Sequence, residues 1–255
     1  KVVEVSWLQR SRCAGLICKA RIEAQQQRFC QDVSVAEEGG AHRVLLDGRM
    51  LKTQSKAVVA LPSASLAEAV AEEWRAQGES INPPTMFLTR LTFAAIDGVQ
   101  ADRRKVADHA LSFGRTDLLC YRAEYPDELV ARQARVWNPL LDWAGKRFGA
   151  KLKHANGIGF KEQSPESILA LERAIAETDD FKLAALHTAA MITGSLVLAL
   201  AVAEGHLNAE RAFAAATLDE TFQSEKWGTD EEAQARLERL SAELSAAERF
   251  LKLLP

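Results

Sequence analysis

The 255-residue chain has no C-x-x-C pair, no H-E-x-x-H run, no G-x-x-x-x-G-K-[ST] loop and no G-x-S-x-G elbow. These absences remove the motif-borne forms of zinc chemistry, nucleotide binding and serine hydrolysis. Net charge is also nearly absent: the formal value is -3 and the pI about 6.0. Such a balance gives no global attraction to nucleic acid or to an anionic membrane. Cysteine is scarce and scattered, at Cys13, Cys18, Cys30 and Cys120, which points to free thiols rather than a disulfide framework. The histidines, His42, His109, His154, His187 and His206, are equally dispersed. The expectation is therefore a protein without a metal or other cofactor. No internal repeat at a fixed period is visible.

One apolar run is long enough to raise the membrane question. Residues 183–203, LAALHTAAMITGSLVLALAVA, could span a bilayer by length. Much of the run is alanine, however, and His187, Thr188, Thr193 and Ser195 interrupt it. No aromatic belt or basic flank follows. A buried central helix is the expectation, with no stable membrane insertion. Residues 1–28 carry more Arg and Lys than Asp and Glu. Their longest apolar run, CAGLIC, is short for a secretory core. They are set aside as an N-terminal extension of unclear role.

From Phe29 to Leu61 the apolar period is close to two. Gly39-Gly40 and Asp47-Gly48 are hairpin signals, so the segment reads as four antiparallel strands in a meander. The helix that follows, PSASLAEAVAEEWRAQG, has Ser65 and Glu68 in capping-box spacing and Gly78 as its stop. INPPTMF reads as a stiff extended connector. Beyond residue 86 helical patterns dominate: one through LTRLTFAAIDGV, one over 101–113, and one over 127–148 that Pro139 should kink or restart. Ser164 and Pro165 open a further helix. The apolar run follows, then a helix from Asn208 to Gly228, then a last helix capped by Thr229 and Glu232. The predicted fold is α+β: a small N-terminal antiparallel β-meander with a packed helix over 29–85, followed by a larger all-α helical bundle over 86–255.

The chemistry-bearing residues concentrate in LDETFQSEKWG, residues 218–228. At roughly 100° per residue, Leu218, Phe222 and Glu225 share one face, and Glu220, Gln223 and Trp227 the opposite one. A catalytic acid pair should converge on one cleft, with carboxyls about 5 to 10 Å apart, and Glu220 and Glu225 point to different sides. A structural helix, a binding face and a catalytic site all remain readings of this stretch. Glu225, on the apolar side, needs a partner if it is buried. Trp74, Trp137 and Trp143 read first as core or interface packing, with Trp74 also suited to contact at an exposed junction. NGIGF, with Gly157 and Gly159, reads as a turn.

Several segments in order, among them VLLDGRMLKT, LAEAVAEEWRAQGESINPPTMFLTRL, TDLLCYRAEYPDELVARQARVWNPLLDWA, GSLVLALAVAEG and LDETFQSEKWG, carry a further signal. Together they resemble the ATP synthase assembly chaperones that act on the α subunit, the F(1) complex assembly factor 2-like family of mitochondria and alphaproteobacteria. The resemblance runs from about Arg28 to about Leu254, departing at Cys30, where an aromatic residue is usual, and at Phe222, where Trp or Tyr is common. It implies an ATP-independent chaperone, not an enzyme. That chaperone would bind the unassembled F(1) α subunit in the bacterial cytoplasm, or in the mitochondrial matrix if the source is eukaryotic. It implies partner-binding roles for Glu220, with Gln223 and Trp227 on the same face, and for Trp74. Asp117 and Arg122 are expected to order the link between helices. The competing reading is a soluble hydrolase using the acidic residues around Glu220 on a small substrate.

Overall fold

A computed structural model describes residues 30–157, 161–228 and 230–255. The architecture is α+β, with a small antiparallel sheet near the N-terminus and helices thereafter. The chain divides into two compact units. One contains the described residues up to Val106 together with Asp180–Ala184 and Arg249–Pro255; the other contains Ala107–Asp179 and Ala185–Glu248.

In the first unit, β1 (Val33–Glu38), β2 (Ala41–Leu46) and β3 (Arg49–Met50) form the sheet in that order. Val33 faces Leu46 and Glu38 faces Ala41, so the tight turn falls on Gly39-Gly40, both at positive φ. The second turn holds Asp47 at φ 49°, and its carboxylate accepts from the Gln31 and Asp32 amides at 2.9 and 2.8 Å. The predicted fourth strand is reduced to single bridges, Lys52 with Val58 and His42 with Leu61. The cause is a turn: Lys56 sits at φ 69°, and the Asp97 carboxylate accepts from the hydroxyls of both Thr53 and Ser55. These bonds bend the chain away from a continuous ladder.

Helix α1 (Ala64–Arg75) covers the sheet with Leu66, Val70 and Trp74 inward. Its N-cap is Ser63, not Ser65: the Ser63 hydroxyl accepts from the Leu66 amide at 3.1 Å. Ser65 instead donates to the Leu253 carbonyl, and Glu68 pairs with Arg75, so no capping box forms. The helix stops at Ala76, before Gly78. The expected extended connector is a 3₁₀ turn, Pro83–Thr85, since proline is tolerated where a helical turn opens. Helix α2 (Phe87–Phe93) follows and loosens into a π-helical turn over Ala94–Val99. The start of α2 has no cap of its own. Glu73 supplies one from α1, accepting from the Leu88 and Thr89 amides at 2.8 Å each and from the Thr89 hydroxyl. Burial pushes the Glu73 carboxyl up, and these bonds oppose that rise.

Helix α3 (Arg103–Arg115) enters the second unit at Ala107. A 3₁₀ turn (Leu118–Cys120) leads to β4 (Tyr121–Arg122), then α4 (Asp127–Phe148). Strand β5 (Ala155–Asn156) pairs in parallel with β4, Tyr121 facing Ala155 and Arg122 facing Asn156. Helix α4 runs unbroken through Pro139. Trp137 and Leu140, on either side of the proline, are buried, and their packing overrides the local cost. Helix α5 (Pro165–Ala176) opens as predicted, with Ser164 accepting from the Ser167 amide at 3.2 Å.

The long apolar run is two helices rather than one: α6 (Asp180–Thr193) and α7 (Leu196–Ala203). Gly194 at φ 66° makes the break, its amide donating to Ala190 and its carbonyl accepting from Leu118. Ser195 then caps α7, accepting from the Leu198 amide at 3.0 Å. All residues from Leu196 to Val202 are buried, and among the described residues no helix is long and apolar enough to cross a membrane. The single helix predicted from Asn208 is likewise two, α8 (Ala209–Ala216) and α9 (Leu218–Trp227). The Trp137 indole donates to the Ala215 carbonyl at 2.9 Å, beside the break. The last helix is α10 (Glu231–Leu253); Asp230 accepts from the Ala233 amide at its start. The expected Thr229 cap and Gly159 of the predicted turn lie outside the described residues.

Asp117 and His187, both in this unit, are deeply buried. Asp117 caps both the 3₁₀ turn, through the Leu119 amide at 3.1 Å, and α7, through the Val197 amide at 3.0 Å. Burial pushes its carboxyl up from 3.8 to about 6. His187 lies with Nε2 at 2.7 Å from Nδ1 of His109, and its own Nδ1 has no hydrogen-bond partner among the described residues. Burial first, and then the neighbouring His109, lowers it from 6.5 to about 4.

Replacing Gly194 with alanine should cost about 1 to 2 kcal/mol in a denaturant melt, because the left-handed φ, rather than any steric clash, opposes a Cβ there. The two buried groups pull stability in opposite directions as pH falls. Between 6.5 and about 4 the unfolded chain protonates His187 while the folded one does not, so that contribution falls. Between about 6 and 3.8 the folded chain protonates Asp117 first, so that contribution rises. The pair should therefore contribute little net pH slope near pH 5, while the His187 ring stays neutral there. Histidine ring ¹⁵N shifts and melts across that range check both statements.

Candidate functional site

Helix α9 lies antiparallel against α4. Trp137 bonds Ala215, Gln133 donates to Asp219 at 2.8 Å, Arg132 meets Glu225, and Lys226 meets Glu128, so rising numbers on one helix meet falling numbers on the other. Leu218 and Phe222 are buried, as their shared face requires. The Phe222 ring sits below two cations, with the Arg132 guanidinium carbon 5.4 Å and the Lys226 ammonium 4.8 Å from its centroid. The stems of these long side chains cover the ring while their charges stay in water.

Glu225 thus has its partner. Arg132 grips it as a two-pronged fork, 2.9 Å on each prong, at the surface rather than in the core. The pairing holds the Glu225 carboxyl below its usual range, led by the hydrogen bond from Arg132. Each partner lay beyond the reach of a single-helix projection: the two residues are 93 apart in the chain.

The opposite face of α9 presents Glu220, Gln223 and Trp227 together, all exposed, with Trp227 at 78%. Glu220 is held by Arg236 of α10 at 2.8 and 3.1 Å. Gln223 has no side-chain bond among the described residues. The helix is therefore fastened by Leu218, Phe222, Asp219 and Glu225, and these three side chains are left outward.

Trp74 does not join them. It is 1% exposed, inside the first unit, and packs as a core residue of α1. The exposed junction considered for it is not the environment it has, because Leu66, Val70 and Trp74 fall on the one apolar stripe of the helix. Trp137 is fully buried, and Trp143 stacks on His206 with centroids 4.6 Å apart. Asp117 and Arg122 do order the link between helices. Asp117 caps two helical starts, and Arg122 donates to the Leu119 carbonyl at 2.9 Å while its guanidinium lies 5.0 Å from the Trp137 ring centroid.

For acid–base chemistry this arrangement offers little. A general acid needs a raised pKa, and Glu225 is shifted down by a surface arginine. Asp219 is engaged by Gln133, and Glu220 by Arg236. Among the described residues no group of three or more His, Cys, Asp and Glu side chains is placed to hold a metal ion.

The family described as ATP12 chaperone protein matches residues 27–145. The mitochondrial protein atp12 of Schizosaccharomyces pombe is 27% identical over 219 residues, which cover 81% of this chain and 75% of that protein. The crystal structure of Atp12 from Paracoccus denitrificans superposes with a TM-score of 0.85 at 42% identity, covering 90% of this chain and 98% of the other. The Atu1473 protein of Agrobacterium tumefaciens superposes with a TM-score of 0.86 at 42% identity, covering 90% of this chain and 86% of the other.

Phe222 and Trp227 should separate fastening from function. Phe222→Ala is expected to cost about 3 to 5 kcal/mol in a denaturant melt. Trp227→Ala should change stability by less than about 0.5 kcal/mol.

Proposed function

This chain belongs to the ATP12 chaperone family, and from that premise we propose that it binds the unassembled α subunit of ATP synthase and assists assembly of the F(1) catalytic head without using ATP. A subunit built for a ring exposes apolar surface while it waits for its neighbours, and such surface aggregates. A dedicated binder covers it and leaves when the larger native interface competes. The observation that carries the reading is the two-sided α9. One face is engaged with α4, and the other exposes an amide, a tryptophan and a carboxylate paired with Arg236. Aromatic rings flanked by polar groups suit a reversible protein contact, in which a few anchors supply most of the affinity. Glu220 is the leading contact, with Gln223 and Trp227 beside it. Buried Trp74 would act on binding only through the packing of its own unit. The same reading locates the protein in the bacterial cytoplasm, or in the mitochondrial matrix of a eukaryote.

Purified α and β subunits decide the matter in a pull-down, where α alone should be retained. Glu220→Lys should weaken α-subunit binding at least about tenfold, with the circular-dichroism melt nearly unchanged. Unfolding of the variant would make Glu220 structural, and undiminished binding would move the contact elsewhere.

A further inference from the structure

Arg122, in β4, holds a guanidinium out of water with little to neutralise it. The residue is 7% exposed. Its Nε donates to the Leu119 carbonyl at 2.9 Å, while Nη2 is buried without a hydrogen-bond partner among the described residues. No ion pair is made by Arg122 among those residues. The Trp137 ring, its centroid 5.0 Å from the guanidinium carbon, offsets part of the charge. A sheltered cation so placed is costly unless a carboxylate stands near.

Asp219 is such a carboxylate. Gln133 and Trp137 lie about one turn apart on α4, and both are buried. Each reaches from the side of β4 to the side of α8 and α9. The Gln133 side chain accepts from the Ala123 amide at 2.9 Å and donates to Asp219 at 2.8 Å. The Trp137 ring lies beside Arg122, and its indole N–H donates to Ala215, shortly before Asp219 in the chain. Residues 122–123 and 215–219 are thus clasped onto the same turn of α4. Burial lowers the Arg122 guanidinium from its ordinary range, and the charge of Asp219 is among the influences that oppose this.

We propose that Asp219 is the counter-charge of Arg122 across the Gln133–Trp137 turn, and that this pair seats α9 with Glu220, Gln223 and Trp227 outward. Arg122 and Asp219 are positioning residues. Neither belongs to the outward face, and both act through the placement of α9. The assignment rests on the proposed reading of that face as the one that binds the α subunit. The pair obeys a different rule from the apolar fastenings Leu218 and Phe222. Removing one charge strands the other, whereas removing both leaves a neutral contact. A stranded Arg122 regains water when α9 lifts, so the loss of Asp219 alone favours the lifted state.

The test is a double-mutant cycle in the full chain, read by hydrogen exchange over Leu218–Trp227 and by retention of the isolated α subunit. Asp219→Asn keeps an oxygen for Gln133 to donate to, yet should speed exchange in α9 at least about tenfold. Combining Arg122→Met with Asp219→Asn should bring exchange back to within about threefold of wild type. Retention of the α subunit should follow the same order, weakened in the single variant and recovered in the double. If Asp219→Asn alone does not fold, a folded double variant supports the pair and an unfolded one overturns it. Exchange unmoved by Asp219→Asn, or as fast in the double variant as in the single, would also overturn it. So would undiminished α-subunit retention in a variant whose α9 exchanges quickly. If the wild-type chain retains no α subunit while exchange follows the cycle, the pair stands as the seat of α9 and the α-subunit reading falls. If Glu220→Lys abolishes α-subunit binding while the two substitutions act additively on exchange, the reverse holds.

Discussion

The second unit depends on one buried carboxylate. Asp117 accepts amide hydrogens from Leu119 beside it and from Val197, 80 residues away. Those two bonds fix where α7 starts relative to the 3₁₀ turn. Every residue of α7 from Leu196 to Val202 is buried, so a slip of one residue would turn a different set of methyl groups against each neighbour. Helix α7 packs on α4; from α4, Trp137 holds the end of α8, and Gln133 and Arg132 hold α9. The outward face of α9 is positioned at the end of that chain of contacts. The desolvation of Asp117 is the cost of the arrangement, expressed as a carboxyl pushed up to about 6.

The same economy of partners recurs at helix starts. Glu73 reaches from α1 to cap α2, and Glu248 reaches from α10 to the Ala209 amide at the start of α8. A cap supplied from another helix joins two elements as well as satisfying orphan amides. Such bonds are directional where apolar packing is not, and they fix register. Alanine-rich α8 offers few ridges to lock into grooves.

Periodicity revealed the fold class, the two hairpin turns, the Ser164–Pro165 start and the division of α9 into buried and open faces. These are local properties, set by spacing and backbone preference. The misplaced boundaries share a different cause. Trp137 bonds the Ala215 carbonyl where α8 gives way to α9; Asp117 takes the Val197 amide where α7 starts after Gly194; Asp97 bends the segment predicted to be a fourth strand. Each is a hydrogen bond from a residue tens of positions away. Gly194 was visible within the apolar run, but glycine in a helix can serve close packing as readily as termination, and only its φ of 66° distinguishes the two. At the candidate site the faces were legible and the partners were not. Arg132 and Arg236 could not be matched to Glu225 and Glu220 without knowing which helices meet. Trp74 was ambiguous for a related reason, since a tryptophan on an apolar stripe suits a core and a contact equally until its cover is known.

The Arg236–Glu220 pair has a thermodynamic consequence. A partner's cation at Glu220, under the proposed binding role, would not find a bare carboxylate; it would find one already paired with a guanidinium. Binding there would exchange one cation for another, close to neutral in electrostatic free energy at an exposed position. Departure would be the same exchange in reverse, with Arg236 one helix away to reclaim its acid. A contact built on such an exchange would draw selectivity from shape and charge sign more than from strength.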